Sequence, residues 1–145
     1  MTFLVASLLF VLDRVAKIAV AKNMSYGQSI PVLPKIFHLT FVLNDGTAFS
    51  LFKGQNTILA GLSALVIIFI IGYAMIHKAP GLAVSLALGL ILGGALGNLV
   101  DRIKFGRVID FLDFRVWPVF NVADSCITIG IAILIITLCT RYSLK

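Results

Sequence analysis

The chain has 145 residues, which leaves room for a single domain over 1–145, and 60% of them are hydrophobic while 12% are charged. Soluble domains average about 45–50% apolar and about 25% charged residues, so the composition excludes an ordinary soluble domain and indicates a protein surrounded by lipid. The net charge of +6 comes from Lys and Arg scattered between apolar runs, without a basic face or an aromatic platform, so we expect no nucleic-acid partner.

Four apolar segments predict four transmembrane helices, over approximately 1–21, 57–76, 80–100 and 120–140. A crossing helix needs about 20 mostly apolar residues. The second and third segments meet this without a charge, whereas the first contains Asp13, Arg14 and Lys17 and the fourth contains Asp124. The first segment could also be a cleaved signal peptide, because Ala19-Val20-Ala21 fits a cleavage site. It lacks a positive n-region, so we favour a retained helix.

The connections predict an all-α membrane protein with a small extramembrane β-sheet. Residues 36–43 are rich in β-branched and aromatic side chains, Asn44-Asp45-Gly46 is a strong turn signal, and residues 48–52 can return as a second strand. Residues 108–114 are apolar enough to predict a loop that rests on the bilayer. A short connection at 77–80 then places both long loops on one face of the membrane, opposite the two termini.

Charge counting alone gives an orientation that we distrust. The long-loop side carries most of the cations, so a positive-inside count places these loops in the cytoplasm. Several of the cations neighbour acids and can belong to a site. They are Lys22, Lys35, Lys53, Arg102, Lys104, Arg107 and Arg115, against Lys78, Arg141 and Lys145 on the other side.

The third span carries two stripes of small and polar residues. Ser85, Gly89, Gly93 and Gly97 recur every four positions, which predicts close helix packing. The neighbouring stripe of Gly94, Asn98 and Arg102 brings polar groups to the membrane edge.

Two aspartates stand out because ionisable groups inside spans are costly and usually functional. Asp124 begins an apolar run, although it could simply be an acid that stabilises a helix N-terminus. Asp110 lies 14 positions earlier, and a return through Trp117-Pro118 could bring the two together, unless Asp110 only pairs with Arg107 or Arg115. Paired carboxylates share a proton and can activate water, which is the aspartic-protease arrangement and needs no metal or other cofactor.

Two further interpretations concern the spans. Asp13 and Lys17 are at i,i+4 and share a helix face, which predicts an ion pair with a mainly structural role. A small proton- or cation-coupled transporter is the alternative function, since such proteins use intramembrane carboxylates. That alternative predicts an inverted repeat, which the sequence does not show.

In chain order, five segments resemble the bacterial lipoprotein signal peptidases, also called signal peptidase II, over nearly the whole chain. They are Asp13 with Lys17, Asn44-Asp45-Gly46-Thr47-Ala48-Phe49-Ser50, Gly93-Gly94-Ala95-Leu96-Gly97-Asn98-Leu99-Val100-Asp101-Arg102, Val108-Ile109-Asp110-Phe111, and Phe120-Asn121-Val122-Ala123-Asp124-Ser125. The resemblance implies a bundle of four membrane helices with a surface β-cradle and a small helix or flap. One departure is Ala16, where the family usually has a small polar residue.

The resemblance also implies the chemistry and its setting. Asp110 and Asp124 would be catalytic, Asn44, Asn98, Arg102 and Asn121 would line the site, and Asp13, Lys17 and Asp101 would support it. The expected substrate is a diacylglyceryl-modified prolipoprotein, cut just before its lipidated cysteine, and globomycin-type cyclic peptides are the expected inhibitors. The family implies a bacterial plasma membrane protein with an outward-facing site and cytoplasmic termini, and a single bundle can act as a monomer.

Overall fold

Helices account for most of the described chain, and a three-stranded antiparallel sheet caps one end of them. The computed structural model describes residues 1–46, 54–77 and 81–143. The helices are α1 (Thr2–Asn23), α2 (Asn56–Ile76), α3 (Leu82–Phe105) and α4 (Val122–Ser143). The strands are β1 (Ser29–Leu33), β2 (Phe37–Asn44) and β3 (Val108–Asp113), and they lie in the order β1-β2-β3.

The helices make this a membrane protein. Within the described ranges, three are long and apolar enough to cross a bilayer, namely α2, α3 and the Val122–Thr140 part of α4. The 22 residues of α1 would also be long enough, but its second half carries Asp13, Arg14 and Lys17. The crossing by α1 therefore stays a prediction.

The central helix is α3, which packs against the other three helices. Small residues allow this close approach. A Cβ atom on Gly89 would lie 2.7 Å from the Cβ of Val5, and one on Gly93 would lie 2.7 Å from the carbonyl oxygen of Ala6. The packing role predicted for these two glycines is therefore confirmed, and the surface that they contact belongs to α1.

The sheet joins segments that are far apart in the sequence. β1 pairs with β2, where Ser29 lies opposite Thr40, and β2 pairs with β3, where Leu43 lies opposite Ile109. The loop predicted over 108–114 is wrong, because Val108–Asp113 is a strand. It is buried over nearly its whole length, and a short apolar run of this kind does not alternate as a surface strand does.

Two other predicted elements, a second strand and a surface helix or flap, are not seen in the described residues. The strand expected over 48–52 lies outside the described residues. The small surface helix or flap expected from the resemblance is not among the elements of the described residues.

Local backbone geometry holds β3 between α3 and α4. Gly106 caps the C-terminus of α3, because its φ of +68° is left-handed and lets its N–H donate to the carbonyl of Arg102 at 3.1 Å. After β3 the chain returns, and the N–H groups of Phe111 and Leu112 donate to the carbonyl of Phe120 at 2.9 and 2.7 Å. The return predicted through Trp117-Pro118 therefore brings the start of α4 beside β3.

Candidate active site

Two carboxylates line one cleft where β3 meets the first turn of α4. Asp110 comes from β3 and is 1% exposed, and Asp124 comes from α4. The cleft has a volume of about 720 Å³, and Asn44 and Arg102 also line it. Two acids from different elements thus face a common space large enough for a substrate segment.

Side-chain amides hold both oxygens of Asp110. The Nδ2 of Asn44 donates to Oδ2 at 2.9 Å, and the Nδ2 of Asn121 donates to Oδ1 at 2.6 Å. Arg115 instead forms its ion pair with Asp113, at 2.9 Å. Across the residues that the structure describes, Asp110 forms no ion pair with Arg107 or Arg115, so the interpretation of Asp110 as a simple arginine partner is wrong.

Asp124 is both the helix-start acid and a member of the cleft. Its backbone N–H donates to the Oδ1 of Asn121 at 2.9 Å, and its Oδ2 accepts from the backbone N–H of Asn121 at 3.2 Å. This reciprocal pair is a capping box built from Asn and Asp. The Nδ2 of Asn98 donates to its other oxygen at 2.8 Å. Stabilisation of the helix N-terminus is therefore confirmed, and it coexists with a place in the site.

Asn121 connects the two carboxylates. It is fully buried, and its Nδ2 lies 3.2 Å from the Oδ1 of Asn98 as well as 2.6 Å from Asp110. Its side-chain oxygen and backbone N–H are occupied by Asp124. A single side chain therefore sets the position of one acid relative to the other.

A buried charge network lies behind the cleft. The Nζ of Lys17 is 2.9 Å from Asp13 Oδ2, from Asp101 Oδ2 and from the Oδ1 of Asn98. Asp13, Lys17 and Asp101 are all 0% exposed. The ion pair predicted from the spacing of Asp13 and Lys17 is confirmed, and Asp101 completes it.

The same network anchors the chain next to each cleft acid. Asp13 accepts a hydrogen bond from the N–H of Ala123 at 3.1 Å, one position before Asp124. Asp101 accepts one from the N–H of Ile109 at 3.2 Å, one position before Asp110. The buried charges therefore position the backbone that carries both carboxylates.

Arg14 is a member of this network that sequence reasoning missed. Its Nη2 lies 2.6 Å from the Oδ1 of Asp101. A signal was available, since Arg14 and Lys17 are three positions apart and share a helix face. With it, two cations face two acids in the buried cluster.

The environment of Asp110 favours its protonated form. Burial, followed by the negative charge of Asp124, raises the pKa of Asp110 from 3.8 to about 7, against the opposing effect of its amide hydrogen bonds. Burial also acts on Asp113, but hydrogen bonds from Thr40 and Arg115 outweigh it and lower the pKa of that carboxyl. These neighbours on one strand thus have opposite chemistry, and only Asp110 is suited to hold a proton near neutral pH.

The turn after β2 closes one side of the cleft. The Oδ1 of Asn44 accepts the N–H of Gly46 at 2.9 Å, as expected for the Asn-Asp-Gly turn. The Nη2 of Arg102 lies 3.4 Å from the carbonyl oxygen of Gly46. Arg102 therefore links this turn to α3 at the wall of the cleft.

The predicted site residues all lie either in the wall of this cleft or directly behind it. Asn44, Arg102, Asp110 and Asp124 line the cleft, whereas Asp13, Lys17, Asn98, Asp101 and Asn121 lie behind it. The individual residues of the apolar wall were not predicted, because nothing in the local pattern separates them from lipid-facing residues. The wall includes Val108, Phe114, Trp117, Val119, Phe120, Ile127 and Ile129. Among the described side chains, no cluster of three or more His, Cys, Asp or Glu could hold a metal ion.

Comparisons with known proteins agree with this geometry. The family described as Signal peptidase (SPase) II matches residues 5–140. The chain belongs to the signal peptidase II family. It is 45% identical to a lipoprotein signal peptidase of Halothermothrix orenii over 138 residues, covering 95% of this chain and 94% of the relative. A relative of the same name from Desulfitobacterium hafniense is 47% identical over 132 residues, covering 89% of this chain and 86% of the relative.

Solved structures agree as well. A bacterial membrane enzyme determined by the in meso method at 2.3 Å superposes with a TM-score of 0.92 at 34% identity, covering 99% of this chain and 90% of that one. As a member of the signal peptidase II family, the chain is an aspartic peptidase that removes signal peptides. This overturns the alternative interpretation as a proton- or cation-coupled transporter.

Proposed function

We propose that the chain cuts diacylglyceryl-modified prolipoproteins just before the lipidated cysteine, and that Asp110 and Asp124 are the catalytic pair. The observation that carries this proposal is that Asn121 donates hydrogen bonds to both carboxylates. The two acids lie at the polar end of a cleft that also has an apolar wall. A substrate that consists of a peptide joined to acyl chains needs a polar surface for the peptide and an apolar surface for the chains. The names of the relatives support the choice of lipoprotein precursors as substrate class.

The pair activates water without a covalent intermediate. Near neutral pH the two acids share one proton, because burial and mutual repulsion oppose the second charge. The charged carboxylate takes a proton from water as the water oxygen attacks the scissile carbonyl carbon, and the protonated carboxyl gives its proton to the carbonyl oxygen. Collapse of the tetrahedral diol breaks the C–N bond. One carboxyl gives its proton to the leaving amine, and the other regains one from the diol.

Asn44 and Arg102 flank the same cleft and can assist this step. Asn44 holds one oxygen of Asp110, and Arg102 brings a positive charge near both acids. A fixed cation beside a developing oxyanion stabilises the transition state. Asn98, Asn121, Asp13, Lys17 and Asp101 position the acids from behind.

The proposal extends to the membrane setting. All four helices cross the bilayer in the proposed structure, so both termini lie on the side opposite the sheet. The site faces the outer surface of a bacterial plasma membrane, where a lipid-anchored cysteine sits at headgroup level, and the bundle acts as a monomer. Globomycin-type cyclic peptides compete for the cleft.

Cleavage of a defined precursor tests the substrate class. The purified chain in detergent is incubated with a diacylglyceryl-modified prolipoprotein and with the same precursor carrying Cys→Ser, and products are located by mass spectrometry. The proposal predicts a cut immediately before the lipidated cysteine, none in the Ser precursor, and inhibition by globomycin. Equal cutting of both precursors contradicts it.

A further inference from the structure

A second cleft lies between α1 and α3 and shares no lining residue with the active-site cleft. Its volume is about 200 Å³. Four basic side chains line it, and Ile18, Phe105 and Ile109 supply apolar walls. The basic residues are Arg14, Lys17, Lys22 and Lys104.

The charge of this cleft is not balanced. Arg14 and Lys17 are paired with the buried acids Asp13 and Asp101. Lys22 and Lys104 form no ion pair within the described ranges, and no acid lines the cleft. The cleft therefore keeps the two positive charges of Lys22 and Lys104 without a neighbouring negative charge among its described lining residues.

Helix dipoles explain only part of this placement. Lys22 lies in the last turn of α1 and Lys104 in the last turn of α3, where a cation is favourable. That effect acts on each lysine separately. It does not require both to border one cavity, whereas a bound anion would.

Arg14, which lines the cleft, carries a buried donor. The Nε of Arg14 is buried and has no hydrogen-bond partner among the residues that the structure describes. Buried polar groups are normally satisfied, and a guanidinium N–H pairs well with a phosphate oxygen. A phosphate that reached Arg14 from the cleft would offer this group an acceptor.

An apolar stripe on α1 leads to the cleft. Exposed side chains recur at alternating spacings of four and three, which places them on one helix face, and Lys22 continues the series. At ~1.5 Å per residue the stripe is roughly 20 Å long, enough to accompany an acyl chain through one leaflet of a hydrocarbon core of about 30 Å. Its members are Leu4, Leu8, Val11, Val15 and Ile18.

We propose that this cleft binds the phosphate headgroup of an anionic phospholipid whose acyl chains lie along the α1 stripe. The inference rests on the proposed crossing of the membrane by α1, because only then does the stripe face lipid. Phosphate chemistry alone would also suit a free phosphate ion. The continuous apolar stripe favours the lipid.

Native mass spectrometry of the full chain tests the site. The protein is released from detergent micelles doped with equal amounts of phosphatidylglycerol and phosphatidylcholine that carry identical acyl chains. We expect one retained phosphatidylglycerol per chain. The double variant Lys22→Gln/Lys104→Gln should lose roughly tenfold or more of the preference for phosphatidylglycerol, since each lysine near a lipid surface contributes about 1 kcal/mol.

A charge-matched control is Lys35→Gln/Arg107→Gln, because both residues are exposed and neither lines either of the two clefts described above. This variant should keep the preference. Equal retention by the wild type and Lys22→Gln/Lys104→Gln, or equal loss in both double variants, overturns the site. Retention of inorganic phosphate by the wild type with no preference for phosphatidylglycerol overturns the lipid as its ligand.

Cleavage by the same preparation separates the two proposals. Normal prolipoprotein cleavage without retained phosphatidylglycerol contradicts the lipid site alone. Retained phosphatidylglycerol without cleavage contradicts the proposed function alone.

Discussion

The side-chain ammonium of Lys17 lies 2.9 Å from the amide oxygen of Asn98, a residue 81 positions away. This contact determines how the Asn98 amide is turned. Because the ammonium can only donate, the oxygen of Asn98 faces Lys17 and its nitrogen faces Asp124, at 2.8 Å. A buried cation outside the active-site cleft therefore orients a hydrogen-bond donor toward a proposed catalytic acid.

Replacing Lys17 by Met tests this positioning role. We expect kcat to fall by up to about a hundredfold with little change in KM, because Asn98 loses its orientation. The charge of Lys17 lowers the pKa of Asp110, so its removal should move the alkaline limb of the pH–activity profile to higher pH. Lys35→Met, at an exposed position, should change neither. A lower activity with an unmoved alkaline limb would indicate a merely structural lysine.

Asn121 has two roles that different substitutions separate. Asn121→Ala removes both the α4 cap and the donor to Asp110, whereas Asn121→Ser keeps a capping oxygen. Both variants should lose about a hundredfold in kcat, as when a preorganised donor is removed. Only the Ala variant should also lose about 1 kcal/mol of stability through the cap, as measured by unfolding in detergent. Near-normal activity in Asn121→Ser would contradict the link between the two acids.

The raised pKa of Asp110 predicts a pH-dependent stability. The folded chain holds a proton on this carboxyl up to a pH of about 7, whereas the ordinary pKa is 3.8. This contribution to stability is fully present below the ordinary pKa and is lost as the pH rises through about 7. The melting temperature of the wild type should therefore fall between about pH 5 and about pH 8 more than that of Asp110→Asn. Parallel curves for the two proteins would show that Asp110 is already charged.

Gly97 is a glycine of α3 whose replacement is predicted to disturb the charge network behind the site. A Cβ atom there would collide with the Oδ2 of Asp13 and crowd Ala123. Gly97→Ala should destabilise the protein by about 1–3 kcal/mol, as overpacking does, and should lower activity. Gly72→Ala on α2 meets nothing within 4 Å and is the matched control. Equal thermal stability of the two variants would contradict the tight contact between α1 and α3.

Local patterns predicted those parts of the structure that depend on nearby residues. The i,i+4 spacing of Asp13 and Lys17 predicted their ion pair, and Asn44-Asp45-Gly46 predicted a turn that the Asn44 side chain closes. The apolar stretches around α2, α3 and α4 predicted helices of membrane length. Each of these depends on groups within a few turns of one another.

Long-range partners explain what local patterns missed. The strand Val108–Asp113 was expected to be a loop, because its hydrogen-bonding partner β2 lies more than sixty positions earlier and its burial hides any alternation. The pairing of Arg14 with Asp101 joins two helices in the same way. The grouping of these residues into one site came mainly from the resemblance to a family. The amide hydrogen bonds that hold the two acids could be seen only in the three-dimensional structure.

The most direct measurement compares three Asp→Asn variants in the cleavage of a diacylglyceryl-modified prolipoprotein. Asp110→Asn and Asp124→Asn should remain folded, as judged by thermal unfolding and gel filtration, and should lose all detectable cleavage, because one proton can no longer be shared between two carboxylates. Asp113→Asn makes the same chemical change three residues along β3, outside the cleft, and should retain most of the activity. Near-normal cleavage by Asp110→Asn or Asp124→Asn would contradict the catalytic pair.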